Sequence, residues 1–135
     1  MLKIGIDLGG TSVRAGLVED RAVRVLHEAP TPADGTQEEV LEQIYALLDR
    51  LPTEEVEHIG AGVPSMVDAE EGIVYDVQNI PSWTEVPLGA QLRSRRVWNG
   101  SLSGEHLRAL LRRAVLRARI RYDRERGVRA GPGGR

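Results

Sequence analysis

Tight turns between three short aliphatic segments at the start of the chain constrain its fold more than any other feature. The segments are residues 3–8, 12–18 and 22–26. Gly9 and Gly10 separate the first two segments, and Glu19 and Asp20 form a polar turn before the third. Strands joined by such short connections pair antiparallel, because a parallel pair needs a crossover of roughly a dozen residues or more. The sequence therefore predicts a three-stranded antiparallel meander.

A helix and a further strand follow the meander. Thr36 and Glu39 form a capping box, in which each side chain can satisfy a backbone donor of the other residue. Apolar residues then recur at helical spacing as far as Leu51, and Pro52 ends the pattern. The later predicted elements are a buried strand over residues 58–63, part of a hairpin over 72–75 and a helix over 87–95. This order predicts an α/β fold, with a mixed sheet that begins with the antiparallel meander and is flanked by helices.

Composition excludes several classes of protein. The chain has 135 residues, 41% of them hydrophobic, and contains no cysteine. It is long enough to bury a core, but it cannot hold a disulfide framework, a thiol nucleophile or a cysteine-based zinc site. No apolar run approaches the roughly 18 residues of a membrane span, and Asp7 comes too early for a secretory signal. We therefore expect a cytoplasmic protein.

Charge divides the chain into two parts. Residues 1–91 carry 5 basic and 17 acidic side chains, whereas residues 92–135 carry 13 arginines, no lysine and 3 acidic side chains. So sharp a division requires an explanation. The sequence predicts a globular part over residues 1–92 and an Arg-rich tail over residues 93–135.

The motif Asp7-Leu8-Gly9-Gly10-Thr11 is the strongest local candidate for a binding site. The first predicted strand delivers a carboxylate, and the two glycines let the backbone approach a ligand and present its amide donors. Thr11 adds a hydroxyl, and the Asp7 carboxylate suits a hydrated Mg²⁺ ion. Together these groups can hold a nucleotide phosphate. The spacing by itself favours an ordinary glycine hairpin with a surface aspartate.

Two further segments have the composition of a ligand site. The first, residues 60–65, ends a predicted strand in small residues followed by Pro64 and Ser65, and ligands bind at such strand ends in open α/β sheets. The second, residues 79–83, combines the amide of Asn79 with the flat indole of Trp83, and both groups suit a sugar. Taken alone, the first segment favours an ordinary strand exit. The second favours a Trp83 that fills a core poor in aromatic residues.

In combination, the three motifs resemble the ROK family of sugar kinases and repressors, which includes bacterial glucokinases. The family has a strand ending in D-x-G-G-T, then G-x-G-V-P, then N-x-P-x-W before a proline-leucine helix start. The matching segments here are residues 7–11, 60–64, 79–83 and 87–88. They occur in the family's order and with its spacing, so the resemblance covers residues 1–92.

The resemblance implies an actin-like ATPase fold of the ribonuclease H-like type, with this chain as its N-terminal lobe. The implied reaction is phosphoryl transfer from ATP, with Mg²⁺, to a hydroxyl of a hexose. The implied nucleotide-binding residues are Asp7, Gly9, Gly10 and Thr11, and the implied sugar-side residues are Pro64, Ser65 and Asn79. Asp7 is also the implied Mg²⁺ ligand.

After Leu92 the chain departs from the family pattern. The family's next strand carries an Asn-Asp pair whose aspartate is the catalytic base, and this sequence has no Asn-Asp pair. The second glycine-rich phosphate loop, the sugar-binding Glu and His residues and the Cys/His zinc motif do not occur either. We therefore assign no catalytic residue and no zinc. Because such kinases close two lobes over their substrates, we predict that this chain does not turn over ATP.

Three interpretations of residues 93–135 remain open. Arginine without lysine, with glycine and proline at the end, fits out-of-frame translation of a GC-rich gene. The arginine density also fits a basic helix that binds nucleic acid or an anionic surface, which would make the chain a non-catalytic regulatory module. Leucines at helical spacing fit a solvated helix packed on the lobe. In each case, residues 127–135 have the composition of a disordered segment.

The same reasoning gives expectations about partners. A hexose is the substrate implied by the resemblance, and no membrane partner is expected. Nucleic acid is expected only through the Arg-rich tail. An isolated lobe should expose the apolar face of its cleft, which predicts aggregation or a homodimer.

Overall fold

The computed structural model describes residues 2–20, 22–52, 54–95 and 100–103. The strands are β1 (Leu2–Leu8), β2 (Ser12–Glu19), β3 (Ala22–Pro30), β4 (Val56–Gly62), β5 (Met66–Asp68), β6 (Ile73–Tyr75), β7 (Glu85–Val86) and β8 (Gly100–Ser103), and the helices are α1 (Gln37–Asp49) and α2 (Leu88–Arg95). The predicted basic helix and glycine-rich end, over residues 104–135, lie outside the described residues. The three interpretations of the tail therefore stay predictions.

A five-stranded mixed sheet forms the centre of the fold, in the order β3-β2-β1-β4-β8. β2 pairs antiparallel with both β1 and β3, whereas β4 pairs parallel with both β1 and β8. The predicted meander and the predicted mixed sheet are confirmed. β3 continues to Pro30 instead of ending at Leu26, because β2 offers it a partner as far as Ser12. β8 was not predicted and lies within the segment assigned to the tail.

Helix α1 covers one face of this sheet and closes the core. It contacts β2 and β3, and its apolar stripe is buried with alternate residues of the first two strands. The shared core includes Ile4, Ile6, Leu8, Val13, Ala15 and Leu17 from the sheet and Val40, Leu41, Ile44, Tyr45 and Leu47 from α1. Full burial of one such aliphatic side chain stabilises the fold by about 1.5–3 kcal/mol. The helix predicted from the apolar spacing is therefore confirmed.

A second, three-stranded sheet of order β5-β6-β7 lies between β4 and α2 in the chain. The hairpin predicted around residues 72–75 is part of it, with β6 as the central strand. Gly72 has φ 70°, and its carbonyl accepts a hydrogen bond of 2.9 Å from the amide of Gly89 in α2. A Cβ on Gly89 would lie 3.1 Å from the Gly72 Cα, so the two glycines allow the hairpin turn to dock on the helix.

Trp83 is the largest fully buried side chain in the described part of the chain, with 0% of its surface exposed. It belongs to the same hydrophobic cluster as the buried residues of β6, β7 and α2. The prediction that Trp83 fills a core poor in aromatic residues is confirmed. Its indole Nε1 and the Oγ of Ser82 are buried without a hydrogen-bond partner among the described residues, so apolar packing holds the indole in place.

The surface of the described residues exposes one large hydrophobic side chain, that of Met66, with 79% of its area accessible. This surface gives no support to the expected apolar face, and the homodimer stays a prediction. Neither of the two described helices has the length and apolar character needed to cross a membrane.

The ends of α1 follow from the local sequence. Thr36 is the N-cap, and its Oγ1 accepts a hydrogen bond of 3.2 Å from the amide of Glu39. The Glu39 carboxylate lies over Gly35. The second hydrogen bond of the predicted capping box, from the Thr36 amide to the Glu39 side chain, is not formed between these two described residues. At the other end, the helix stops at the C-cap residue Arg50, before Pro52.

Replacing the cap tests how much α1 depends on it. Thr36→Ala should lower the free energy of unfolding by about 1 kcal/mol, because the Glu39 amide loses its acceptor. Urea denaturation followed by circular dichroism measures this change. Thr36→Ser keeps the acceptor and should remain within about 0.5 kcal/mol of the parent protein. Equal losses in the two variants would show that the cap hydrogen bond is not the source of stability.

Candidate functional site

The carboxyl ends of β1 and β4 lie side by side because these strands are parallel. Asp7 near the end of β1 is paired in register with Gly62 at the end of β4. The turn of residues 9–11, here called the Gly-Gly turn, leaves the sheet at this edge, and so does the segment that contains Pro64 and Ser65. The fold therefore places the first two sequence motifs at one edge of the sheet.

Asp7 is a buried carboxylate within a row of alternating charge. Its side chain is 3% exposed, and its Oδ2 lies 3.4 Å from Nη1 of Arg14, the residue directly opposite on β2. Nε of Arg14 in turn lies 3.3 Å from Oε2 of Glu28, the next residue across on β3. Asp7 is therefore not the surface aspartate of an ordinary hairpin. The Arg14 guanidinium offsets the cost of burying its charge.

The Gly-Gly turn is tied to the end of β3 by Thr31. The Thr31 hydroxyl donates a buried hydrogen bond of 2.7 Å to the carbonyl of Gly9, and the Thr31 amide donates one of 3.0 Å to the carbonyl of Thr11. Sequence reasoning missed this residue, because none of the predicted elements or motifs contains it. The available signal was a threonine between two prolines, because its hydroxyl is the one side-chain hydrogen-bond donor in residues 30–35.

Asn79 touches the same turn at Gly10. A Cβ built on Gly10 would lie 2.7 Å from the Cβ of Asn79, closer than real Cβ contacts allow. Asn79 has φ 64°, a left-handed conformation that asparagine tolerates better than most residues do. Two motifs that are far apart in the sequence are therefore in direct van der Waals contact.

The segment that carries Asn79, residues 76–84, is here called the Asn79 loop. The amide of Asp76 donates to the carbonyl of Thr84, and the amide of Val77 donates to the carbonyl of Trp83, each at 3.0 Å. These bonds close the loop at its base, and the buried indole of Trp83 fixes one end in the core. Asn79 thus reaches the Gly-Gly turn from a well-anchored loop.

Pro64 and Ser65 lie at the same edge but are less closely connected to it. Both are half-buried, and the Ser65 hydroxyl donates a hydrogen bond of 3.4 Å to the carbonyl of the exposed Met66. Among the described residues, no hydrogen bond joins Ser65 to the Gly-Gly turn or to Asn79. The structure thus unites Asp7, the Gly-Gly turn and Asn79, and places Pro64 and Ser65 nearby.

The donor groups near Asp7 restrict the kind of metal site that could form. Within the described ranges, no group of three or more histidine, aspartate or glutamate side chains lies close enough to hold an ion. Mg²⁺ needs no such cage, because it keeps several waters and takes one or two carboxylates together with substrate phosphates. A single carboxylate beside a glycine turn fits that donor set. It does not fit a metal held by protein ligands alone.

The bond between Thr31 and Gly9 can be removed with little change of shape. Thr31→Val replaces the donor hydroxyl by a methyl group and leaves the Gly9 carbonyl without that partner, so the free energy of unfolding should fall by about 1–3 kcal/mol. Thr31→Ser retains the donor and should lose less. Hydrogen exchange of the amides of residues 9–11 should accelerate in Thr31→Val only. Unchanged exchange there would contradict a role for Thr31 in holding the turn.

Comparisons with known proteins extend this picture. The sequence model of the ROK family matches residues 3–99. The glucokinase of Thermotoga maritima is 37% identical over 94 residues, which cover 68% of this chain and 30% of that protein. An N-acetyl-D-glucosamine kinase of Yersinia pseudotuberculosis is 32% identical over 96 residues, covering 65% of this chain and 29% of that protein. The chain spans about 30% of the length of these curated relatives.

Solved structures agree with the sequence comparison. The ROK hexokinase of Thermus thermophilus superposes with a TM-score of 0.68 and 28% identity, over 77% of this chain and 35% of that chain. A ROK family glucokinase of Streptomyces griseus, solved in complex with glucose and AMPPNP, gives a TM-score of 0.67 and 28% identity, over 77% of this chain and 33% of that chain. The predicted actin-like ATPase fold is confirmed. With most of its length matched by the family's sequence model, the chain belongs to the ROK family.

Proposed function

We propose that this chain provides the nucleotide-phosphate-binding lobe of an ATP-dependent sugar kinase of glucokinase type. One observation carries the proposal. A buried carboxylate, a glycine turn and an asparagine from a separate motif meet at the carboxyl ends of parallel strands. Ligands of open α/β sheets bind at such strand ends. Membership of a family that contains sugar kinases supports the same conclusion.

The Gly-Gly turn is the proposed phosphate-binding element. The Gly9 amide already donates to the Ser12 carbonyl at 3.0 Å, so the amides of Gly10 and Thr11 are the ones that could donate to phosphate oxygens. The Thr11 hydroxyl is a further donor at the same turn. Phosphoryl transfer depends mainly on positioning and on charge stabilisation. The contribution of this protein is to hold the nucleotide phosphates at a fixed place on the edge of the sheet.

Asp7 is the residue that would hold Mg²⁺. The ion would supply positive charge to neutralise the transferring phosphoryl group, as in other phosphoryl-transfer enzymes. Asp7 already faces Arg14 at 3.4 Å, so its charge is balanced before any ligand arrives. A cation at Asp7 would therefore share this carboxylate with Arg14 and would take its remaining ligands from phosphate and water.

The proposed sugar-side residues are Pro64, Ser65 and Asn79. The relatives include a glucokinase and an N-acetyl-D-glucosamine kinase, and the Streptomyces griseus glucokinase was solved with glucose. These findings support a hexose as the substrate class. The contact of Asn79 with Gly10 would set a sugar-side amide beside the phosphate turn, as transfer between two bound substrates requires.

The proposal includes no catalytic residue within this chain. A base must lie within hydrogen-bond reach of the attacking hydroxyl, and the sequence lacks the Asn-Asp pair expected to provide it. The chain also spans about 30% of the relatives it matches. We therefore expect it to bind nucleotide without catalysing transfer.

Binding of AMPPNP to the purified chain tests this function. Isothermal titration calorimetry with and without Mg²⁺ should show binding that is tighter with the ion. Asp7→Asn should weaken Mg²⁺-dependent binding by about tenfold, equivalent to about 1.4 kcal/mol. Glu70→Gln removes one negative charge from the exposed β5–β6 turn and should bind like the parent protein.

Two results would contradict the proposal in different ways. A folded parent chain that does not bind AMPPNP would rule out the phosphate-binding role. Glucose-dependent ATP turnover by the 135-residue chain would instead show that it is a complete catalyst. A coupled assay for ADP release, run beside the calorimetry, separates these cases.

A further inference from the structure

The Gly-Gly turn is contacted at two residues by side chains that come from different parts of the chain. At Gly9, the Thr31 hydroxyl donates to the carbonyl at 2.7 Å. At Gly10, the Asn79 side chain lies against the turn, and the three atoms nearest to a Cβ built there all belong to Asn79. The first contact is a hydrogen bond, whereas the second is steric.

We propose that Asn79 is a positioning residue for the phosphate-binding turn, in addition to its place on the sugar side. Its Cβ packs against Gly10. This contact determines the conformation in which the turn presents its amides to a phosphate. The inference rests on the proposed function, because it concerns nucleotide affinity at the same site. It goes further than the proposed function because it predicts that Asn79 raises the affinity for the nucleotide even where its side-chain amide does not contact that ligand.

Asn79 belongs to a closed and anchored loop. Its loop is closed by two backbone hydrogen bonds of 3.0 Å, and Trp83 anchors that loop with 0% exposure. Its φ is 64°, and its Cβ lies 2.7 Å from the position that a Cβ on Gly10 would take. Gly10 has no side chain with which to resist displacement, so the position of Asn79 limits where Gly10 can lie.

The packing of Asn79 against Gly10 affects phosphate binding through preorganisation of the turn. A turn that already has its bound shape loses little conformational freedom when a phosphate binds, and an unsupported turn must be ordered at that moment. The expected effect therefore appears in ligand affinity more than in the stability of the fold. A purely structural contact would show the reverse pattern.

Two substitutions at Asn79 separate these alternatives. Asn79→Gly accepts the left-handed conformation but removes the Cβ, so AMPPNP binding should weaken by about tenfold with little change in Tm. Asn79→Ala keeps the Cβ but is strained at positive φ, so its Tm should fall while it binds AMPPNP more tightly than Asn79→Gly. Asp76→Gly, at a second left-handed position in the same loop with φ 44°, controls for loop flexibility and should bind like the parent protein.

A compensating pair provides the second test. Gly10→Ala places a methyl group 2.7 Å from the Asn79 Cβ, so the turn must shift and AMPPNP affinity should fall by at least about tenfold. Adding Asn79→Gly removes the clashing atom, so the double variant should bind more tightly than Gly10→Ala alone. Such non-additivity is the signature of direct contact.

The outcomes distinguish this inference from the function on which it rests. A parent chain that does not bind AMPPNP overturns both. If the parent binds and Asn79→Gly binds equally well, the positioning role is overturned while the phosphate-binding function stands. Failure of Asn79→Gly to improve the affinity of Gly10→Ala also overturns it, since the methyl group then blocks the ligand itself. Calorimetry and thermal unfolding of the full 135-residue chain supply all of these measurements.

Discussion

The parallel pairing of β1 with β4 is the constraint on which the candidate site depends. Because Asp7 lies opposite Gly62 in that pairing, the two segments that follow these strands leave the sheet at the same edge. A shift of one residue in this register would turn Asp7 toward the other face of the sheet. A second register, the antiparallel pairing of β1 with β2, places Arg14 opposite Asp7 and so determines how the buried carboxylate is neutralised.

The charge row across the sheet explains how an anionic residue can lie beside a proposed phosphate site. Asp7 and Glu28 flank Arg14 at 3.4 and 3.3 Å, and burial of Asp7 makes its pairing with Arg14 stronger than an exposed pair would be. Gly62 on the other side of Asp7 contributes no side chain. The protein's own cation therefore lies on the β2 side of the carboxylate, and a residue without a side chain lies on the β4 side.

Much of this arrangement could be predicted from sequence, for identifiable reasons. Alternation and turn residues define the meander, and helical spacing after Thr36 defines α1, since both depend on neighbouring residues. The contacts of Thr31 with Gly9 and of Asn79 with Gly10 join distant segments, so no local pattern contains them. β8 was missed for a related reason, because pairing with β4 depends on an open sheet edge and not on its four residues alone. The proposed boundary at residue 92 stays a prediction, although α2 and the family match both continue past it.

Gly10 shows that a glycine in a sequence motif can be required for more than one physical reason. From sequence, the missing side chain suggests room for a ligand. In the structure, the space that a Cβ would fill is already taken by Asn79, so the protein itself requires glycine there. A ligand-binding role and a packing role therefore select the same residue, and the glycine alone cannot distinguish them. Substitution at Asn79 can distinguish the two roles. It removes the packing reason for glycine at position 10 and leaves any need of the ligand for glycine there unchanged.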